Sequence, residues 1–470
     1  MKRTRKLGIL LGVLLVACVA AFAALRYEEH QEQIKNSEET ILEIPEDTVT
    51  NLSWKIKDGD EFSLRKDEDT WLYESDETFP VDADKISSML SMFEEFGVSF
   101  VIEDVEDYSQ YGLDDPVCTI DLTASEQNYE ISLGDYSKMD SERYVSTGDG
   151  NVYLVQNDPY DTFNCELKSL IAQDKVPAFD QINSVEIAGE DTWSFAYSKE
   201  NDVTYSEDDI YFAEKDGEGS LPLDTSKVNS YFSSLHSADL TDYVTYNADT
   251  EDLSTYDLDQ PELTLTVNYT SENEDGEDED NIFVLYVSRD PADQDKELSD
   301  DEDEDSEDEI TAYARVGESN LIYQLSESDY KALIACTYDD LRHKELCWAD
   351  FEDITKMEFR LDGETYTITA DGKKKELTYT YGDAEIEITD VQNAYGNLKA
   401  SSFTTEEPSG EEEISMTFYI DNENQPEVTI QLYRYDGSDC LALVDGNSTA
   451  LIKRTNVVDM MEAVRSIVLN

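Results

Sequence analysis

Three stretches of the chain share one order of apolar positions: Val49, Leu52 and Trp54; Ile182, Val185 and Ile187; Ile354, Met357 and Phe359. Each reads apolar-x-x-apolar-x-apolar behind an acidic turn, Pro45-Glu46-Asp47, Phe179-Asp180-Gln181 or Phe351-Glu352-Asp353, and each predicts a strand. Farther on, apolar residues at helical spacing predict one buried stripe three times. The stripes are Ile86, Met89, Leu90, Phe93; Val228, Tyr231, Phe232, Leu235; and Val391, Ala394, Tyr395, Leu398. Pro80-Val81-Asp82 and Pro222-Leu223-Asp224 lead into the first two helices, where the Asp is placed to cap free N–H groups.

After the helix the first two copies share Tyr111-Gly112-Leu113-Asp114-Asp115-Pro116 and Tyr256-Asp257-Leu258-Asp259-Gln260-Pro261; the third passes through Pro408-Ser409-Gly410 instead. Alternating strands and hairpins follow in all three, and terminal helices are expected near 161–172, 327–342 and 457–467. The fold class is therefore α+β, with three tandem units, each a mostly antiparallel sheet packed by a central helix. The expected units span 41–178, 179–350 and, more divergent, 351–470. Acidic insertions at 271–281 and 290–309 interrupt the second unit and are expected as solvated, disordered hairpin loops. An EF-hand frame set on Gly276 fails, because Ile282 falls where the twelfth-position Glu belongs.

The N-terminus has its own pattern. A basic tail, 1–6, carries Lys2, Arg3, Arg5 and Lys6 and precedes an uncharged run, 7–25, which as a helix is about 28 Å long. Glu28, Glu29 and Glu32 follow in a stalk, 26–40. The positive-inside rule then keeps the N-terminus cytoplasmic and puts the bulk of the chain outside, on a single-pass signal anchor in the cell membrane. A lipoprotein signal is an alternative, since Leu15-Val16-Ala17-Cys18 fits a lipobox, and cleavage without lipid is another. The anchor leads because the chain stays apolar from Val19 to Leu25.

Composition narrows the function classes. The 470 residues carry 34 Lys and Arg against 110 Asp and Glu, a net charge of −76, which repels nucleic acid. The 29 Tyr and 16 Phe are too many for a disordered acidic chain. Beyond Cys18, Cys118, Cys165, Cys336, Cys347 and Cys440 show no metal spacing; Cys336 and Cys347 have the option of pairing, and burial as small hydrophobes is the simpler expectation.

The strand phrase, Trp71 ahead of Pro80-Val81-Asp82, and Tyr111-Gly112-Leu113-Asp114-Asp115-Pro116 resemble the bacterial family of domain of unknown function 4340. The resemblance covers about 41–350 well and 351–470 by pattern; the second copy departs from the Tyr-Gly-Leu phrase at Asp257. It implies a membrane-anchored or exported protein, encoded beside ABC-type transporter subunits and gliding-motility-like auxiliary proteins. It brings no catalytic residues with it.

No HExxH, GxSxG, P-loop or dinucleotide phrase occurs. The histidines, His30, His236 and His343, fall in the stalk and at two expected helix ends, where an electrostatic role is the ordinary one. Trp54, Trp71, Trp193 and Trp348 suit core packing better than a sugar platform. No catalytic, cofactor-binding or metal-ligating residue is assigned. The expected function is a non-enzymatic, membrane-tethered interaction protein outside the cytoplasm, accessory to an ABC-type transporter or gliding-motility-like complex. The alternative is a cell-surface protein that binds a glycan or a cation.

Overall fold

An apolar-x-x-apolar-x-apolar strand holds one residue too many for simple alternation, and in each copy pairing slips at that residue. The slip lies between Val49 and Asn51, between Ile182 and Ser184, and between Ile354 and Lys356. A bulge of this kind keeps both flanking apolar residues on the core face. Thr50 Oγ1 donates to Thr123 O at 3.3 Å and Thr355 Oγ1 to Tyr419 O at 3.1 Å, so the extra residue is tied to the neighbouring strand. All nine apolar residues of the three strands are buried.

The computed structural model describes residues 39–468 apart from 104, 156, 190, 200–201, 216–218, 274–275, 297, 299–309 and 375. The basic tail 1–6, the expected span 7–25, Cys18, His30, nearly all of the stalk 26–40 and much of the insertion 290–309 lie outside the described residues. Among the described residues no helix is long and apolar enough to cross a membrane.

The architecture is α+β, with mostly antiparallel sheets. The first large sheet orders its strands Thr70–Tyr73, Glu61–Asp67, Val49–Ile56, Cys118–Ala124, Gln127–Ser137, Glu142–Ser146, Val152–Val155, Phe100–Ile102. The second runs Gly219–Pro222, Tyr211–Lys215, Thr192–Tyr197, Gln181–Ala188, Leu263–Glu272, Asp278–Arg289, Ala312–Val316, Ile322–Leu325, Tyr243–Thr245. The third runs Ala384–Ile386, Thr378–Tyr381, Glu364–Asp371, Ile354–Leu361, Glu412–Ile420, Glu427–Arg434, Asp439–Val444, Asn447–Lys453, Ala400–Phe403. The order is the same three times; in the first sheet the outermost strand shrinks to the bridge Leu72↔Pro80. The chain divides into two compact units, one ending at Gln173 and one beginning at Asp174, and the second unit carries two of these sheets.

Eight α-helices lie among the described residues: α1 (Ala83–Leu90), α2 (Pro159–Phe163), α3 (Thr225–Ser237), α4 (Thr250–Thr255), α5 (Glu327–Ile334), α6 (Tyr338–Leu341), α7 (Thr389–Gly396) and α8 (Arg454–Val468). The stripes of α1, α3 and α7 are buried as their spacing requires, except that Tyr395 is half-buried. Asp82 and Asp224 cap α1 and α3 through their side chains; Ile388, at the start of α7, makes no such bond.

Three expectations are corrected. The terminal helix expected over 161–172 is α2 followed by a tight turn at Leu167–Leu170, because Asn164 leaves helical backbone at φ −81° and ψ 63°. The one expected over 327–342 is split into α5 and α6, because Thr337 and Asp340 form a new capping box. The insertion 271–281 is paired on both sides of 274–275, which lie outside the described residues, and is not a loop there. Strand pairing continues through Thr270↔Asp280, Ser271↔Glu279 and Glu272↔Asp278, lengthening the hairpin into its own acidic tip. Cys118, Cys165, Cys336, Cys347 and Cys440 are all free thiols, so Cys336 and Cys347 are not bridged.

Candidate functional site

Residues 342–349 join the second sheet to the third as an extended strap. Ala400 N donates to Lys344 O at 2.6 Å and Leu346 N to Leu398 O at 3.1 Å, so the strap pairs with the segment that leaves α7. Extended backbone sends every second side chain to one face, and His343, Glu345 and Cys347 all line a cleft of about 420 Å³. The other walls come from the second sheet, Asp208, Asp209 and the cap of α3 at Asp224, and from the end of α7, Tyr395 and Lys399.

Asp209 organises this cleft. It is 2% exposed, and a buried carboxylate needs several donors. Its Oδ1 lies 3.0 Å from His343 Nε2; its Oδ2 accepts from Trp348 Nε1 at 2.8 Å and from the Thr204 hydroxyl. The His343 ring stacks on Trp348 with centroids 4.2 Å apart and planes 4° from parallel, which fixes the imidazole in two directions. The loop that carries Asp209 also reaches the third sheet: Asn422 Nδ2 donates to Thr204 O at 3.4 Å, and Tyr205 packs on that sheet's core and edge-on to Trp348.

The charges around the imidazole follow from the same geometry. Asp224 Oδ1 accepts from Ser226 N at 3.0 Å, Ser226 Oγ at 2.6 Å and Lys227 N at 3.3 Å. Burial raises the Asp224 carboxyl, but the Ser226 hydroxyl, His343 and the two N–H groups outweigh it and hold it below the ordinary range. Burial likewise raises Glu345, and Lys399, 2.9 Å from its Oε1, with His343 brings it below the ordinary range. Lys227 donates Nζ to Arg342 O at 2.6 Å, and its pKa is lowered by burial against the pull of Asp224. The Cys347 thiol is pushed up to about 11 by burial, and Tyr395 donates its hydroxyl to it at 3.2 Å; it is a structural sulfur rather than a nucleophile. One oxygen each of Asp224 and Glu345 and a ring nitrogen of His343 lie within 4.8 Å of one another.

Sequence reading had none of these residues as a site. It placed His343 at a helix end, and the residue sits two positions beyond α6. Trp348, weighed between core and sugar platform, is half-buried and serves as the shelf for His343 and a donor to Asp209. A usable signal was present in the alternation of His343, Glu345 and Cys347 along a linker. Trp54 and Trp71 are core residues, and Trp193 is half-buried beside Phe195 and Tyr338. His236 is exposed on the last turn of α3, on a separate groove of about 710 Å³ walled by Phe179, Tyr197, Tyr211 and Phe232.

A family model described as Domain of unknown function (DUF4340) matches residues 71–211 and 214–414. The two matches are consecutive, and each begins just ahead of a capped helix, α1 or α3. The second runs past residue 350 into the third sheet. No curated protein and no solved structure matches the chain.

Proposed function

The chain belongs to the family of domain of unknown function 4340, and on that premise we propose that it is a non-enzymatic interaction protein working outside the cytoplasm. In this reading residues 7–25 tether it to the membrane as a single-pass anchor, with lipidation at Cys18 as the alternative. Its role is accessory, beside a membrane complex of ABC-transporter or gliding-motility type. The observation that carries the reading is the threefold recurrence of one strand order, which multiplies similar surfaces along one chain. The side chains of the cleft support it as well: Asp209 is committed to three donors, Glu345 to Lys399 and Cys347 to Tyr395, and these contacts join two sheets.

Crosslinking in native membranes followed by capture of the full-length chain is the test. Transporter-type integral membrane subunits are expected among the captured proteins, and protease added to intact spheroplasts is expected to remove the bulk of the chain. Capture of soluble cytoplasmic proteins alone, or full protection from protease, overturns the reading. A second reading, a surface protein that binds a cation, is favoured by the grouping of Asp224, His343 and Glu345.

A further inference from the structure

We propose that Asp224, His343 and Glu345 bind one divalent transition-metal ion of the zinc class, which clasps the strap 342–349 to the cap of α3. The inference gives the cation reading a site and an ion, and stands independently of the interaction role. Each of the three groups has one polar atom engaged by the protein and another left over. Asp224 spends Oδ1 on the helix cap, His343 spends Nε2 on Asp209, and Glu345 spends Oε1 on Lys399. What remains for an ion is Asp224 Oδ2, His343 Nδ1 and the Glu345 lone pairs not taken by Lys399 and by the residue's own backbone N–H.

The support behind the imidazole is the kind a metal-bound histidine has. A carboxylate on the far ring nitrogen fixes the tautomer and turns the near nitrogen's lone pair toward the ion. Asp209 is that carboxylate, and it is itself held by Trp348 and Thr204. The stacked Trp348 keeps the ring from swinging away.

One imidazole with two carboxylates favours zinc over calcium, which takes six or more oxygens. A tetrahedral shell at about 2.1 Å needs donors roughly 3.4 Å apart. One atom of each residue already lies within 4.8 Å of the others, so small side-chain rotations are needed to close such a shell. Lys399 stays on the other oxygen of Glu345, where it opposes the ion; Lys227, a second nearby cation, is held away by Arg342 O. These cations weaken the site, and the four carboxylates lining the cleft, Asp208, Asp209, Asp224 and Glu345, outnumber them.

The test uses the full-length protein stripped of metal and zinc chloride alone as the probe, titrated calorimetrically against a chelator of known affinity. One tight equivalent is expected, together with a raised melting temperature. Glu345→Gln and His343→Ala are each expected to weaken it by at least about tenfold. Because His343→Ala leaves Asp209 short of a donor, Asp224→Asn is the folding control. It keeps an oxygen for the cap, and is expected to melt like the metal-free parent while losing the same affinity. Cobalt in place of zinc is expected to show a tetrahedral visible spectrum that Glu345→Gln abolishes. Absence of a stoichiometric site, or equal zinc binding by the parent and all three variants, overturns the proposal.

Discussion

In the first sheet Asp82 N donates to Leu170 O at 2.8 Å and Lys85 Nζ to Ile171 O at 3.3 Å; in the second Asp224 N donates to Leu341 O at 3.0 Å and Lys227 Nζ to Arg342 O at 2.6 Å. The bridges Val81↔Ile171 and Leu223↔Arg342 complete the same clamp between the start of the central helix and the closing segment. One residue farther on the copies part. The first has Ala172, which donates its N–H to Pro80 O, and the second has His343. Two positions beyond stand Asp174 and Glu345. The acids therefore recur, and the imidazole does not. The same backbone frame thus holds, in one copy only, an imidazole beside the acids.

The largest effect is expected where the copies are most alike. Leu90→Asp in α1 and Phe232→Asp in α3 each put an uncompensated charge into a buried stripe, at a cost of more than about 4 kcal/mol. Each is expected to unfold its own compact unit, seen as loss of one transition in a melt and selective proteolysis of that part. Equal tolerance of both changes breaks the comparison at its root.

A smaller effect tests the clamps themselves. Asp82→Ala and Asp224→Ala each remove a side-chain cap, at about 1 kcal/mol in urea at neutral pH with chelator present. Asp224 also carries a pH signature. Its folded carboxyl lies below the unfolded value of about 4, so its contribution is complete above about pH 4 and fades as pH falls through the lower folded value. The difference between parent and Asp224→Ala is expected to narrow in that acid range; a difference that widens there contradicts the assignment. The smallest effect belongs to deletion of 298–308. The base of that insertion is already closed by Asp290 N to Thr311 O, Thr311 N to Asp293 Oδ2 and Ile310 N to Glu327 Oε2. The melting temperature is expected to change by less than about 2 °C.

Much of the repeated frame was legible because it depends on local periodicity. The helical stripes showed directly, and the odd spacing of Val49, Leu52 and Trp54 encoded a bulge in plain sight. The departure at Asp257 turned out to be no departure in backbone: its φ is 57°, beside 69° for Gly112, and Asp is among the side chains that tolerate this region. The helix α4 was missed, since it is short, acidic and has no buried residue. The acidic hairpin tip was missed because charge argued for disorder while pairing with the opposite strand argued otherwise. The cleft was invisible for a different reason. Asp209 and His343 are 134 residues apart and meet because the closing segment of the second copy is clamped back onto its own sheet at Leu223↔Arg342, which no period along the chain records.

Every large sheet also stops at strands of three or four residues: Thr70–Tyr73, Gly219–Pro222 and Ala384–Ile386 at one margin, Phe100–Ile102, Tyr243–Thr245 and Ala400–Phe403 at the other. Tandem copies of one topology run a particular hazard during synthesis, when a strand of one copy pairs with the open margin of its neighbour. A margin this short offers too few ladder bonds to hold a foreign strand, and Pro222 withholds one donor more. Brevity at the margins thus insulates each copy's assembly from its neighbours', letting one chain repeat a sheet three times without exchange between the repeats.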